Sequence, residues 1–248
     1  MLPIRFTCII LLCLSLAVTG KELCPYQAKY NAYRSGSKLG TASQQLETLT
    51  NNQYRLTYQS HASYFFLSDH RHEISQFSQL GEQLQSVNYQ YKRTGTGRDK
   101  SLAAEFNPTD HTILLNNDEK LPWQQELDNQ LYQFRIKQLL AEGKTEFSIP
   151  VLNYRGEKEM YQFEVQGEEE LALPYDKVNA LKVVRIRETK RRETFIWFAP
   201  SLNYLMVRIR QLKEDDEQGD IRLSQYAAES CTAKTERTES AATPLAKD

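Results

Sequence analysis

Apolar and polar residues alternate at every second position, and this feature constrains the fold of the chain more than any other. Tyr26, Ala28 and Tyr30 alternate with Gln27 and Lys29. Because successive side chains of a strand point to opposite faces, this period predicts strands with one buried face. The 14 tyrosines agree with this prediction, since tyrosine suits half-buried pleated surfaces. Strands are predicted over 26–32, 41–48, 54–59, 62–67, 70–77, 84–91, 102–106, 147–151, 161–165, 181–186, 194–198, 205–209 and 221–226.

One segment has helical spacing instead. Asp128 or Asn129 can cap a helix that ends at Gly143. An amphipathic helix must bury its apolar stripe, and the sheet offers the only large apolar surface. The predicted fold class is therefore mainly β (α+β): one large curved antiparallel sheet, or an open half-barrel, with a single amphipathic helix packed on its concave face. The apolar positions of the helix are Leu131, Phe134, Leu139 and Leu140.

The apolar residues of the last strands define a predicted inner face. A curved sheet with this lining and one helix either packs its core completely or leaves an apolar cavity. A packed core is the more common outcome, whereas a cavity would suit a lipid or another hydrophobic ligand. The candidate ligand-lining residues are Phe134, Val184, Ile186, Phe195, Trp197, Leu205, Val207 and Ile209.

Arginines on the same strands predict a basic outer face. Arg185 and Arg187 share one face of their strand, and so do Arg208 and Arg210. If these strands are neighbours, their cations form a stripe that could touch anionic headgroups or envelope polymers, at about 1 kcal/mol for each basic residue. An ordinary solvated face explains the same pattern, and Glu188 dilutes the stripe.

The first twenty residues have the layout of a signal peptide. Arg5 precedes an apolar run from Phe6 to Val18, which is too short for a bilayer span of about 20 apolar residues. We expect export to the periplasm, cleavage near Gly20 and no transmembrane anchor afterwards. A single β-rich domain is expected over 21–228, and the polar composition of 229–248 predicts a disordered tail.

Cleavage would remove two of the four cysteines. Cys8 and Cys13 lie in the apolar run, while Cys24 and Cys231 remain near opposite ends of the domain. In an oxidising compartment this pair could form a disulfide across the domain. The alternative is two isolated thiols.

Signals for catalysis, metal binding and nucleic-acid binding are weak. His70 and His72 would share a strand face with His61 nearby, and three histidines can bind zinc. No carboxylate is clearly placed to complete that site, so no metal is predicted. The formal net charge of −1 gives no field that would gather nucleic acid. No serine or cysteine has a nucleophile setting, and we therefore expect neither an enzyme nor a cofactor.

A family resemblance becomes specific in the second half of the chain. With segments 161–163, 167–169, 183–185, 195–200 and 203–209, the chain resembles an exported bacterial family of unknown function, number 3108, whose other landmarks match 26–42 and 128–140. The resemblance implies a periplasmic protein of a Gram-negative bacterium, built mostly of antiparallel sheet, with no established activity and no catalytic residues to carry over. Met206 stands where the family's tyrosine-leucine run continues with proline.

Three functional hypotheses follow. The first is a non-enzymatic binder or carrier of a lipid-like ligand, an idea that agrees with a fold-level similarity to half-barrel lipoprotein carriers. The alternative is an envelope scaffold or interaction module with a packed core and a basic outer face. A metal-assisted hydrolase using His70 and His72 is third. The volume between helix and sheet separates the first two.

Overall fold

The computed structural model describes residues 23–49, 52–189 and 191–229. Residues 1–20, Cys231 and the rest of the chain's end lie outside this range, so the signal peptide and the tail stay predictions. The elements are β1 (Tyr26–Arg34), β2 (Ser37–Thr48), β3 (Gln53–Tyr64), β4 (Leu67–Leu80), β5 (Gln83–Gly95), β6 (Lys100–Asn107), β7 (Thr112–Leu115), β8 (Glu119–Pro122), β9 (Leu127–Asp128), α1 (Tyr132–Ala141), β10 (Glu146–Leu152), β11 (Lys158–Ala172), β12 (Lys177–Ile186), β13 (Arg192–Ala199), a 3-10 helix (Pro200–Leu202), β14 (Leu205–Lys213) and β15 (Asp216–Ala228).

All fifteen described strands belong to one sheet. Their order is β8-β7-β6-β5-β4-β3-β2-β1-β15-β14-β13-β12-β11-β10-β9. Neighbouring strands are antiparallel, except that β9 pairs in parallel with β10. Two meanders therefore meet where β1 pairs with β15, which brings the two ends of the described chain together. The predicted mainly-β fold class with one α-helix is confirmed for the described residues.

The hairpin between β3 and β4 corrects one predicted strand. Residues 62–67 were expected to form a single strand, but β3 ends at Tyr64 and β4 begins at Leu67. Phe65 adopts a positive φ of 54° to make the two-residue turn. The sequence has none of the usual Gly, Asn or Asp signals at this place, so its apolar run reads as strand.

Helix α1 begins one turn after its predicted cap. The Asp128 carboxylate accepts hydrogen bonds from the backbone N–H groups of Gln130 (2.9 Å) and Leu131 (3.0 Å), so it fixes the turn that leads into the helix. At the other end, Gly143 has φ +76° and its N–H donates to the Leu140 carbonyl. Gly143 therefore stops the helix as its sequence position predicts.

The sheet curves around the helix. The Phe134 ring lies 6.5 Å from Tyr26 of β1 and 5.7 Å from Phe77 of β4, measured between ring centroids. The Tyr132 ring lies 5.4 Å from Tyr161 of β11. Strands from both meanders thus contact α1 with the same face, which we call the inner face. The opposite side is the outer face.

Candidate functional site

Side chains fill the space between helix and sheet. Phe134, Ile136, Leu139 and Leu140 of α1 are buried in the main core. Tyr30 is also buried there, and its hydroxyl donates to the Met206 carbonyl at 3.0 Å. Two pockets lie beside α1, and three others lie over the strands, away from the helix. The two pockets beside α1 are the ones that border the helix and the main core.

The residues predicted to line one cavity are divided between the two faces. Residues directly opposite each other in an antiparallel pair share a face. Val184 lies opposite Phe195, and Trp197 lies opposite Arg208, on the outer face. Ile186 is on the same face as Val184 and is 41% exposed. Phe134, Leu205 and Val207 are buried in the main core, and Ile209 packs against it. Trp197 is buried in the same cluster although it lies opposite Arg208, and Phe195 packs against that cluster.

The four arginines do not form one basic outer face, which corrects that expectation. Arg185 lies opposite Phe163, whose ring belongs to the inner core, so Arg185 and Arg187 point to the inner face. Arg208 and Arg210 point to the outer face. The reason is that β12 has apolar residues at both Val183 and Val184. The buried inner position belongs to Val183, so the assignment shifts by one residue.

The outer arginines are neutralised by carboxylates. Asp220 is fully buried and accepts two hydrogen bonds from Arg208, at 2.8 and 2.7 Å, and two from Arg222, at 2.9 and 2.7 Å. Burial alone raises the pKa of Asp220, but the hydrogen bonds from Arg208 and then Arg222 outweigh it and lower the pKa. Arg210 pairs with Glu217 at 2.8 Å. This surface is a structural ion-pair network rather than a free basic stripe.

The inner arginines lie in a polar part of the interior near the start of α1. The Arg185 guanidinium lies 3.3 Å above the Tyr161 ring and pairs with Glu159 at 2.9 Å. Arg187 donates to the Thr194 hydroxyl at 3.1 Å. Burial, and then the charge of Arg185, lower the pKa of Arg187. Cation–π and ion-pair contacts thus compensate for the burial of Arg185.

Buried carboxylates attach the segment before α1 to the sheet. Asp128 accepts hydrogen bonds from the hydroxyls of Ser75 (2.6 Å) and Ser86 (2.7 Å), and burial raises its pKa. Glu73 accepts from Tyr89 (2.6 Å) and from Asn129 (2.9 Å). Sequence reasoning found Asp128 as a cap but missed its serine partners. The available signal was that polar residues occupy the inner positions of β4, where the alternation predicts apolar ones.

A groove of about 520 Å³ lies on one flank of α1, which we call the Trp123 groove. It opens between β10, the β4–β5 turn and the segment before β9. Its apolar walls come from Leu84, Trp123, Leu127 and Ile149, which are nearly buried. Its rim carries Glu82, Gln83, Gln85, His111, Gln124, Gln125 and Arg135. The size lies within the range of small-molecule sites, and the lining combines apolar contact with many hydrogen-bonding groups.

A smaller groove of about 290 Å³ lies on the other flank. Phe134, a predicted lining residue, contributes to it together with Leu23 and Tyr204. The Lys137 ammonium lies 4.8 Å from the centre of the Phe134 ring. The volume of this groove is at the lower end of the range of small-molecule sites.

The histidines considered for metal binding lie on the outer face. His61 and His70 lie opposite each other, with their Nδ1 atoms 2.7 Å apart. His72 lies opposite Gln59. Among the described residues, no cluster of three or more His, Cys, Asp or Glu side chains is arranged to hold a metal ion. Cys24 is disulfide-bonded, but Cys231 lies outside the described range, so their pairing stays a prediction.

Sequence comparison identifies the family. The model of the protein family of unknown function DUF3108 matches residues 25–224. The chain belongs to the DUF3108 family. No curated protein matches this DUF3108 chain in sequence.

Solved structures extend the similarity of fold. A crystal structure of a beta-barrel-like protein of domain of unknown function DUF1849, from Brucella abortus, aligns with a TM-score of 0.60 at 8% identity. The alignment covers 84% of this chain and 99% of that chain. A Bacteroides fragilis protein with a YmcC-like fold, provisionally described as exported, aligns with a TM-score of 0.34 at 12% identity, over 85% of this chain and 99% of that one. The first similarity shows a shared fold; the second is too weak to support an argument.

Among the described residues, no helix has the length and apolar character required to cross a lipid bilayer.

Proposed function

We propose that this DUF3108 protein is a non-enzymatic binding protein of the bacterial envelope that holds an amphiphilic, lipid-like molecule in the Trp123 groove. The observation that carries the proposal is the groove itself, at about 520 Å³, with apolar walls and a polar rim. An acyl chain or ring would contact Leu84, Leu127 and Ile149. The polar end of the same molecule would bind the amides and Arg135 at the rim. Export rests on the signal-peptide layout of the first twenty residues.

The groove also lies where the rolled sheet is incomplete. Strand β9 pairs only with Val151 and Leu152 of β10, and the preceding β10 residues Ser148 and Pro150 line the groove. Proline has no N–H to offer a neighbouring strand, so it suits this unpaired edge. A ligand placed at such a seam can enter without opening the packed core.

Binding of N-phenyl-1-naphthylamine, a dye that fluoresces in apolar surroundings, tests the proposal. Gln124→Trp places a bulky ring at the rim, and the hydrogen bond from the Gln124 backbone N–H to Glu126 is unaffected by the change. We expect saturable binding by the wild type, competition by a lysophospholipid, and at least tenfold weaker binding by the variant. Gln162→Trp, an exposed position of β11, is the matched control and should bind as the wild type does. Absence of saturable binding, or equal binding by Gln124→Trp, would overturn the proposal.

The filled space beneath α1 favours a second candidate, an envelope interaction module that carries no ligand. This module would recognise its partner through another surface, because the expected basic outer face does not exist as one patch. In-cell crosslinking that recovers one dominant protein partner, together with no dye binding, would favour this candidate.

A further inference from the structure

The β3–β4 hairpin ends in four consecutive large apolar residues, Tyr64, Phe65, Phe66 and Leu67, which we call the aromatic tip. Phe65 and Phe66 are 85% and 89% exposed, and Tyr64 and Leu67 are about half exposed. Phe65 also adopts a φ of +54°, a region that bulky side chains rarely enter. The turn thus holds two phenyl rings in water, and clustered exposed apolar groups mark interaction sites.

Hydrogen bonds within the protein engage several backbone groups around the aromatic tip. Tyr64 pairs with Leu67 in the ladder between β3 and β4. The Thr96 hydroxyl donates to the Phe66 carbonyl at 3.3 Å and accepts from the Ser68 N–H at 3.0 Å. A backbone that bonds internally can enter an apolar layer, whereas unpaired N–H and C=O groups cannot do so without a large penalty.

The loop bonded to the aromatic tip is basic. The segment 92–100 contains four basic residues, Lys92, Arg93, Arg98 and Lys100, and one acidic residue, Asp99. Arg98 and Lys100 are exposed, while Arg93 pairs with Asp69. Exposed aromatic side chains next to basic side chains are typical of segments that bind the interface of a membrane with anionic lipids.

We propose that the aromatic tip inserts into the surface of a phospholipid membrane with anionic headgroups, while the 92–100 loop contacts those headgroups. The tip extends about two residues beyond Ser68, a reach of roughly 7 Å at about 3.3 Å per residue. This reach matches the depth of about 5–10 Å at which interfacial segments bury their apolar side chains. The inference does not depend on ligand binding, because the Trp123 groove borders the β4–β5 turn at the opposite end of β4.

Vesicle flotation with the exported, purified protein tests this proposal. We expect binding to vesicles of phosphatidylethanolamine and phosphatidylglycerol, and much weaker binding to phosphatidylcholine alone. Phe65→Ser with Phe66→Ser should weaken binding about 100-fold or more, since each buried phenylalanine contributes a factor of about 10 or more. Leu80→Ser, which changes an exposed leucine at the other end of β4, is the matched control and should bind as the wild type does.

Fluorescence gives a second readout that does not depend on how well the double variant folds. A Phe66→Trp variant should shift its emission to shorter wavelength with anionic vesicles and be quenched by brominated acyl chains. Wild-type protein that fails to float, a double variant that floats equally well, or Phe66→Trp emission that shifts only with envelope proteins would each overturn the proposal. The double variant should retain dye binding in the Trp123 groove, so failure here is distinguishable from failure of the proposed function.

Discussion

Replacing Asp220 with asparagine should destabilise the protein through one defined ion-pair cluster. Asp220 has no exposed surface and accepts four hydrogen bonds, two from Arg208 and two from Arg222. The two arginines lie directly opposite each other on β14 and β15. Asparagine keeps the volume of the side chain and one acceptor oxygen, but it leaves two like charges facing each other.

The expected loss is about 2–3 kcal/mol at pH 7. Removing one partner of a fully buried ion pair costs about 3–5 kcal/mol, and the Arg208 and Arg222 side chains retain 19% and 31% of their exposure, which reduces the loss. The guanidinium of Arg208 also keeps its position 4.7 Å from the Trp197 ring. For a chain of this size, the loss corresponds to a fall in Tm of about 5–10 °C.

Thermal unfolding of wild type and Asp220→Asn at several pH values checks the size of this stability loss and its electrostatic origin. The pKa of Asp220 is lowered in the folded state, so its contribution is present above its unfolded pKa of about 3.9 and is lost as pH falls through the folded value. The difference between wild type and variant should therefore be largest near pH 7 and shrink at pH 3. Asp216→Asn, an exposed aspartate of the same strand, should change Tm by about 1 °C or less. An Asp220→Asn variant as stable as the wild type, or a difference independent of pH, would refute the reasoning.

Three other perturbations give separate checks. Burial raises the pKa of Glu73, so its stabilising contribution is complete below about pH 4.3 and is lost as pH rises through the folded pKa; the Tm of Glu73→Gln relative to wild type should rise between pH 4 and pH 7, and a flat difference would contradict this. Phe134→Ala removes a buried ring and should cost about 3–5 kcal/mol in urea unfolding; a loss below about 1 kcal/mol would show that Phe134 is not part of the core. Peptide mapping without reduction should find Cys24 joined to Cys231, and recovery of both as free thiols would disprove that pairing.

Local pattern predicted the strands and the helix because both depend on short-range spacing. Tyr26, Ala28 and Tyr30 fall at inner positions of β1 and are all buried, as their alternation predicts. The end of α1 at Gly143 was likewise predicted from a local signal, the glycine itself. The face of β12 was misjudged because Val183 and Val184 are both apolar, and only the pairing of Val183 with Ile196 decides which one points inward.

Long-range pairing explains what the sequence could not predict about the site. Asp128 binds Ser75 and Ser86, which lie 53 and 42 residues away, so no local pattern connects them. The Trp123 groove likewise combines residues from Glu82 to Pro150 that meet only after the sheet has curved around α1. The aromatic tip was missed because an apolar run without turn residues reads as a strand.

Photolabelling with a diazirine-bearing fatty acid, followed by peptide mapping, tests most directly whether the Trp123 groove binds an amphiphile. The account predicts saturable labelling of residues 82–85 and 123–127, abolished in Gln124→Trp and retained in Gln162→Trp. Labelling confined to the aromatic tip, or spread evenly over the surface, would contradict it.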